Sequence, residues 1–230
     1  MELRLTVLGS NCVGKTFVCD LLKVQSTYNI NTINVFESQA QPDKTNQDGS
    51  IPFYLSIRLF IKIFFHGDWS FWKRYLWIKH QYEKVIPPYT QLQQHDILLL
   101  EEGLVKKMYE SFPVKGISPQ RYHSLLLKYL RITPILLEMS SCLMDGYIYV
   151  YSSKENIFRF MQKRNFFTNI YKRDHLLFRY EAHHILYQFL LQLCAIKGIP
   201  FLVLDSAIEK EKIAQQFDAF IKQLKTQKKP

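Results

Sequence analysis

The segment "LTVLGSNCVGKTFVCDLL", residues 5–22, restricts the fold of this chain more than any other stretch. The chain has only eight glycines in 230 residues, yet Gly9 and Gly14 stand five apart, the second directly before Lys15 and Thr16. An apolar strand starting at Leu3 runs into Gly9-Ser10-Asn11-Cys12-Val13-Gly14-Lys15-Thr16, and an apolar segment with helical spacing follows. The run matches G-x-x-x-x-G-K-[ST] in full, in the strand–loop–helix setting that this motif requires. Glycines let the backbone curl so that successive N–H groups point inward, making a nest for phosphate oxygens at a helix N-terminus. On that reading Gly9, Asn11, Cys12, Val13, Gly14, Lys15, Thr16 and Phe17 hold a nucleoside triphosphate. Lys15 reaches the β- and γ-phosphates, and the Thr16 hydroxyl ligates Mg²⁺. The alternative is a glycine-rich turn that fits the pattern by chance, and the flanking strand and helix weigh against it.

A length of 230 residues suits one domain, 1–230, with an insertion, and is ample for a buried core. Cys12, Cys19, Cys142 and Cys194 show no C-x-x-C or Cys/His spacing, so neither a metal site nor a disulfide framework is indicated. The opening MELRLTVLGS lacks the apolar core of a signal peptide, and no run of about 18 apolar residues suggests a membrane span. A cytoplasmic protein is the simplest expectation. The formal net charge of +10 attracts phosphates, nucleic acid or anionic membranes. No RNA- or DNA-binding signature occurs, so an anionic small substrate with ATP, or an anionic membrane surface, accounts for the charge at least as well as nucleic acid.

Along the chain, apolar strands alternate with helical patterns. Strands are expected at Leu3–Leu8, in "INTINVFE" to about Glu37, in "HDILLLEEG" (95–103), in "DGYIYVYSS" (145–153) and in "IPFLVLDS" (199–206). Helices are expected at Lys15–Lys23, across the aromatic region 51–86, at 117–131 behind Ser118-Pro119, in "KENIFRFMQKR", from Arg173 to a stop at Gly198, and in "EKEKIAQQFDAFIKQLK". The polar stretch 38–50 reads as a loop. Such alternation implies a three-layer α/β/α fold with a parallel sheet of about five strands.

Two further groups carry chemistry. Glu101 and Glu102 follow directly on an apolar strand, where the carboxyl ends of parallel strands gather ligands. Glu101 suits the metal side, while Glu102 suits an acceptor hydroxyl as base or hydrogen-bond acceptor; alternatively the pair answers a helix dipole. Arg159, Lys163, Arg164, Lys172 and Arg173 cluster between two helices. They form either a basic lid, at about 159–175, that stabilises a transferring phosphoryl group, or a solvated basic loop. Arg164 and Arg173 are the candidate phosphate contacts.

The order of phosphate loop, strand ending in an acid pair, "YIYVYSSKENIFRFMQKR", basic lid and "FLVLDSAIEKEKIAQQFDAFIKQL" resembles the P-loop nucleoside/nucleotide kinase superfamily, nearest its thymidylate-kinase-like and deoxynucleoside-kinase-like branch. The resemblance leaves 38–95 unmatched and implies a helical lid, and it places "LDSA" (204–207) near the adenine. In that family the strand-end acid is commonly followed by Arg, which helps to hold the substrate. Glu101-Glu102-Gly103 departs from this pattern, resembles members with a D-E-G motif, and points away from a standard nucleotide acceptor. No N-K-x-D guanine motif occurs, which argues against a regulatory GTPase.

Region 51–86 holds all three tryptophans, Trp69, Trp72 and Trp77, and places Arg58 and Lys62 on one helix face. It reads as an insertion at about 51–90, either a pair of buried helices walling the acceptor or a hydrophobic, basic surface for an amphiphilic acceptor at a membrane boundary. It is also a candidate homodimer face. His183 and His184 point about 100° apart on their helix, so one is expected in the core and the other in solvent. The combined expectation is an ATP- and Mg²⁺-dependent kinase for a small-molecule acceptor, nucleoside- or nucleotide-like or amphiphilic. Its rivals are an ATP-binding regulatory protein without turnover and a sulfotransferase-like enzyme.

Overall fold

The strand at Leu3–Leu8 carries Leu3, Leu5 and Val7 on one face and Arg4, Thr6 and Leu8 on the other, and all but Arg4 are buried, the mark of a strand inside a sheet covered on both sides. The computed structural model of the chain describes residues 3–10, 13–34, 51–65, 69–92, 96–101, 103–110, 119–163 and 170–227. In chain order the elements are β1 (Leu3–Leu8), α1 (Lys15–Gln25), β2 (Ile30–Asn34), α2 (Phe53–Phe65), α3 (Trp69–Leu92), β3 (Ile97–Glu101) and α4 (Leu104–Glu110). They continue with α5 (Pro119–Ser141), β4 (Gly146–Tyr151), α6 (Lys154–Lys163), α7 (Ile170–Lys197), β5 (Phe201–Asp205) and α8 (Lys210–Gln227). Among the described residues the five strands form one parallel sheet in the order β2-β3-β1-β4-β5, the α/β class that the alternation implies.

Strand β1 lies in the middle. Leu5 pairs with Leu99 of β3 on one edge and with Gly146 of β4 on the other, and Val7 pairs with Glu101 and Ile148 in the same way. Among the described strands β1 alone connects onward towards β2, while β3 and β4 on either side of it connect in the opposite direction. A crevice therefore opens at the carboxyl end of β1.

The chain divides into two compact units. Unit 1 comprises Met1–Thr32, His95–Glu101 and Gly146–Pro230. Its core packs β1 with Val18 and Leu22 of α1 and with Ile213, Phe217 and Ile221 of α8. The carboxylate of Asp218 on α8 ties down the end of α1, accepting from Ser26 Oγ at 2.6 Å, Thr27 Oγ1 at 2.8 Å and Thr27 N–H at 3.0 Å. Ser153 caps α6, its Oγ accepting the Asn156 N–H at 3.2 Å. Helix α7 stops at Gly198, whose φ of 65° suits a residue without Cβ. There the Ile199 N–H reaches the Cys194 carbonyl at 2.9 Å and the Gly198 N–H reaches that of Ala195 at 3.3 Å, the pairing of a Schellman stop. His183 is buried and His184 exposed, as the helical spacing requires.

Unit 2 comprises Ile33–Gln94 and Glu102–Asp145 and holds α2 to α5. Tyr109 and Tyr129 meet edge to face at 4.0 Å, and the Tyr129 hydroxyl donates to the Val105 carbonyl at 3.1 Å. Nη1 of Arg58 on α2 donates to both carboxylate oxygens of Glu138 on α5, at 2.9 and 3.1 Å. Helix α4 is an element that the sequence reading does not contain, and α5 runs ten residues past the expected end at 131 despite Pro134. Next to that proline the Thr133 hydroxyl bonds the Tyr129 carbonyl at 2.9 Å. Neither α2 nor α3 is enclosed: α2 buries Leu55, Leu59 and Ile63 and turns Ile57, Ile61 and Phe64 outward. The loop expected at 38–50 lies outside the described residues.

Among the described residues no helix is long and apolar enough to cross a membrane. Phe217 is fully buried against the central strands, so Phe217→Ala should destabilise unit 1 by about 3–5 kcal/mol. Urea unfolding followed by circular dichroism measures this as a lowered midpoint.

Candidate functional site

Gly9 follows immediately on β1, and there the sheet leaves no room for a side chain. A Cβ on Gly9 would lie 2.4 Å from the Val150 carbonyl oxygen of β4 and 2.9 Å from Val13 Cγ2. The loop thus leaves the sheet in contact with the neighbouring strand. Gly14 precedes α1 with φ 91° and ψ 23°, a left-handed conformation that turns the backbone into the helix start. A Cβ there would sit 3.2 Å from Ser206 Cβ, so the turn after β5 closes over this side of the loop. Of the eight residues expected to hold a nucleotide, Gly9, Val13, Gly14, Lys15, Thr16 and Phe17 are described, while Asn11 and Cys12 lie outside the described residues.

Lys15 is buried, and its ammonium folds back over the loop. Nζ donates to the Ser10 carbonyl at 2.8 Å and to the Gly9 carbonyl at 3.0 Å. The Gly9 carbonyl also accepts the hydroxyl of Tyr187, a fully buried residue of α7, at 3.2 Å. An ammonium with a buried stem and carbonyl partners is poised to exchange them for phosphate oxygens, which offer stronger, charge-assisted bonds.

At the second residue of α1, Thr16 Oγ1 donates to Glu101 Oε2 at 3.3 Å across 85 residues of sequence. The structure thereby brings together the two side chains that the sequence marks for a metal ion. A hydroxyl and a carboxylate are hard oxygen donors, few enough to leave coordination positions for water and phosphate, and such a set fits Mg²⁺. Among the described residues no group of three or more His, Cys, Asp or Glu forms a metal cluster. Cys19, one helical turn beyond Thr16, faces the same carboxylate: burial, with the Glu101 charge second, pushes its thiol well above the usual range. That thiol stays protonated and hence unreactive.

Glu102 and Arg164 lie outside the described residues. Arg159 and Lys163 are exposed on α6, and Lys172 and Arg173 fall within the span of α7, which starts at Ile170 and not at Arg173. Sequence reasoning did not find Tyr187, Cys19 or Ser152. Ser152 Oγ, just past β4, and Ser206 Oγ, against Gly14, are buried and without a hydrogen-bond partner among the described residues. Nothing local in the sequence marks Tyr187, which meets Gly9 from 178 positions away.

No family model and no curated protein matches the chain. Among solved structures it is similar to deoxyadenosine kinase from M. mycoides with bound dCTP, at 12% identity and a TM-score of 0.49, over 96% of this chain and 100% of that one. It is likewise similar to the same enzyme with bound dATP, at 11% identity and a TM-score of 0.47, with the same coverage.

Tyr187→Phe removes one donor from the Gly9 carbonyl and leaves Lys15 on it. The variant should lose about 1 kcal/mol of stability. Urea unfolding measures this loss, and circular dichroism should show the secondary structure unchanged.

Proposed function

We propose that this chain is an ATP- and Mg²⁺-dependent phosphotransferase that phosphorylates a small-molecule acceptor. The observation that carries the reading is the convergence of Lys15 and Thr16, at the start of α1, with Glu101 at the end of the adjacent strand, the latter two 3.3 Å apart. Phosphoryl transfer asks little covalent chemistry of a protein; it needs phosphates held in place and developing charge neutralised. In this reading the loop amides from Gly9 to Thr16 cradle the phosphate chain, and Lys15 exchanges its carbonyl partners for phosphate oxygens. Thr16 and Glu101 hold Mg²⁺, which supplies charge neutralisation when bound. Glu102 accepts the proton of the acceptor hydroxyl as that oxygen bonds to the γ-phosphorus and ADP departs. Arg164 and Arg173 close on the transferring group. Ser206, against Gly14 with an unmatched buried hydroxyl, offers a hydrogen bond to the nucleotide on the far side of the loop.

The Thr16–Glu101 pair separates this reading from sulfuryl transfer, which also uses a phosphate loop but needs no strand-end acid for a divalent cation. An ATP-binding protein without turnover would share the whole pair, so binding and turnover must be measured separately. The acceptor is nucleoside- or nucleotide-like, or an amphiphilic metabolite.

Thermal-shift titrations with ATP, GTP and phosphoadenosine phosphosulfate, each with and without Mg²⁺, test the donor. A ligand that binds only the folded state raises Tm as its concentration passes Kd. The expected result is a Mg²⁺-dependent shift with ATP; a shift with the phosphosulfate alone would overturn the reading. Lys15→Met keeps the buried stem and removes the charge, and should lower kcat about 10²- to 10³-fold. In a double-mutant cycle Thr16→Ala and Glu101→Gln should be non-additive in the Mg²⁺ dependence of ATP binding, because both act on one ion.

A further inference from the structure

We infer that the outer face of the α2–α3 helix pair is a docking surface for an anionic lipid bilayer, independent of the nucleotide site. Helix α2 has two apolar stripes. One, with Leu55, Leu59 and Ile63, is buried in unit 2, while the other points outward, with Ile57 43%, Ile61 47%, Phe64 55% and Phe65 77% exposed. Helix α3 repeats the arrangement: Phe71, Tyr75 and Ile78 are buried, and Trp69 and Trp77 are half exposed. The two outer stripes are continuous. Phe60 and Phe64 of α2 meet Trp69 of α3 at ring-centroid distances of 5.7 and 5.9 Å, and Phe64 meets Phe65 at 5.8 Å. A contiguous aromatic ridge of this kind marks an interaction site, unlike scattered surface apolar residues.

The charges decide the partner. Five of the six charged residues between positions 51 and 81 are cationic: Arg58, Lys62, Lys73, Arg74 and Lys79, against Asp68, which lies outside the described residues. Arg58 is paired with Glu138, and Lys79 Nζ lies 3.5 Å from Ser56 Oγ. Lys62 of α2 and Lys73 of α3 stand exposed on the same helices as the aromatic ridge. A second copy of the chain fits poorly, because a two-fold interface would set this cationic surface against itself. A bilayer with anionic headgroups fits both features. Phe, Ile and Trp side chains enter the boundary between headgroups and acyl chains, and Lys and Arg remain at the phosphate level. No helix among the described residues is long and apolar enough to span, so the contact is peripheral.

All three tryptophans lie on α3, so the surface reports its own occupancy. The full chain is titrated with phosphatidylcholine vesicles and with vesicles that also contain phosphatidylserine, following tryptophan emission and co-sedimentation, with sedimentation velocity of the protein alone. The expected result is a blue shift and co-sedimentation with the anionic vesicles, lost at about 1 M salt, where the screening length falls to about 3 Å. Lys62→Gln with Lys73→Gln should weaken vesicle binding about 25-fold, or about fivefold for each charge removed. Ile57→Glu with Ile61→Glu, both at exposed positions, should abolish it while leaving the circular dichroism unchanged. Failure to bind anionic vesicles overturns the proposal. So does a blue shift that follows protein concentration without lipid, which would mean that a second copy covers the face. Full binding by the Ile57→Glu/Ile61→Glu variant, which would place the contact elsewhere, overturns it as well.

Discussion

The candidate site depends on a strand that is hydrogen-bonded on both edges. β1 takes β3 on one side and β4 on the other, its residues Leu5, Val7 and Leu8 are all but inaccessible, and its connection runs against those of its neighbours. A strand held in this way can neither slide nor twist independently, so the residue that follows it is fixed to the accuracy of the sheet. Gly9 inherits that position, pressed on the Val150 carbonyl where no side chain fits. Register does the rest: because Val7 lies opposite Glu101, the carboxylate is delivered two residues short of the loop, level with the first turn of α1. The Thr16–Glu101 bond follows from strand pairing more than from any attraction between the two groups.

Much of this was legible from short-range sequence. The strand Leu3–Leu8 was read to the residue, since its apolar run is bounded by Met1-Glu2 and Gly9. Gly198 ended α7 where a left-handed residue was needed. The motif placed Lys15 and Thr16, and the apolar run Ile97–Leu100 placed Glu101 behind a buried strand. What was not legible depends on chain folding over long distances. Tyr187 reaches Gly9, Ser206 covers Gly14 and Cys19 lies against Glu101, and none of these pairs leaves a local mark. Helix α4 was missed because seven residues behind an acid pair offer too few turns for a period to register.

The aromatic region shows a different limit. Hydrophobic spacing says which residues share a face, not whether anything covers that face. In α2 apolar residues occupy most of the circumference, so the pattern alone is equally consistent with a core helix and with one lying on a surface. In unit 2, α2 packs on α5 and α3, with Leu55, Leu59 and Ile63 buried and Ile57, Ile61 and Phe64 exposed among the described residues, so that packing takes one face of α2. The buried hydroxyls of Ser56 and Tyr75, 2.7 Å apart, add a polar tie between α2 and α3 in that packing.

The three bonds that Asp218 accepts from Ser26 and Thr27 have a consequence for the order of assembly. They join positions 192 and 191 apart, and β5 and α8, which complete the sheet edge and the core of unit 1, both come from beyond residue 200. Contacts so distant in sequence close late and fold slowly. On a ribosome, the segments of unit 2 are all present once residue 145 has been made, whereas the loop from Gly9 to Thr16 waits for the strand and helix that complete its sheet. In the interval β4 presents an open pairing edge built of Tyr147, Ile148, Tyr149, Val150 and Tyr151, a ready template for association with other chains. Elongation that pauses between Tyr151 and Phe201 would therefore favour aggregation over folding, even in a chain whose finished form is soundly packed.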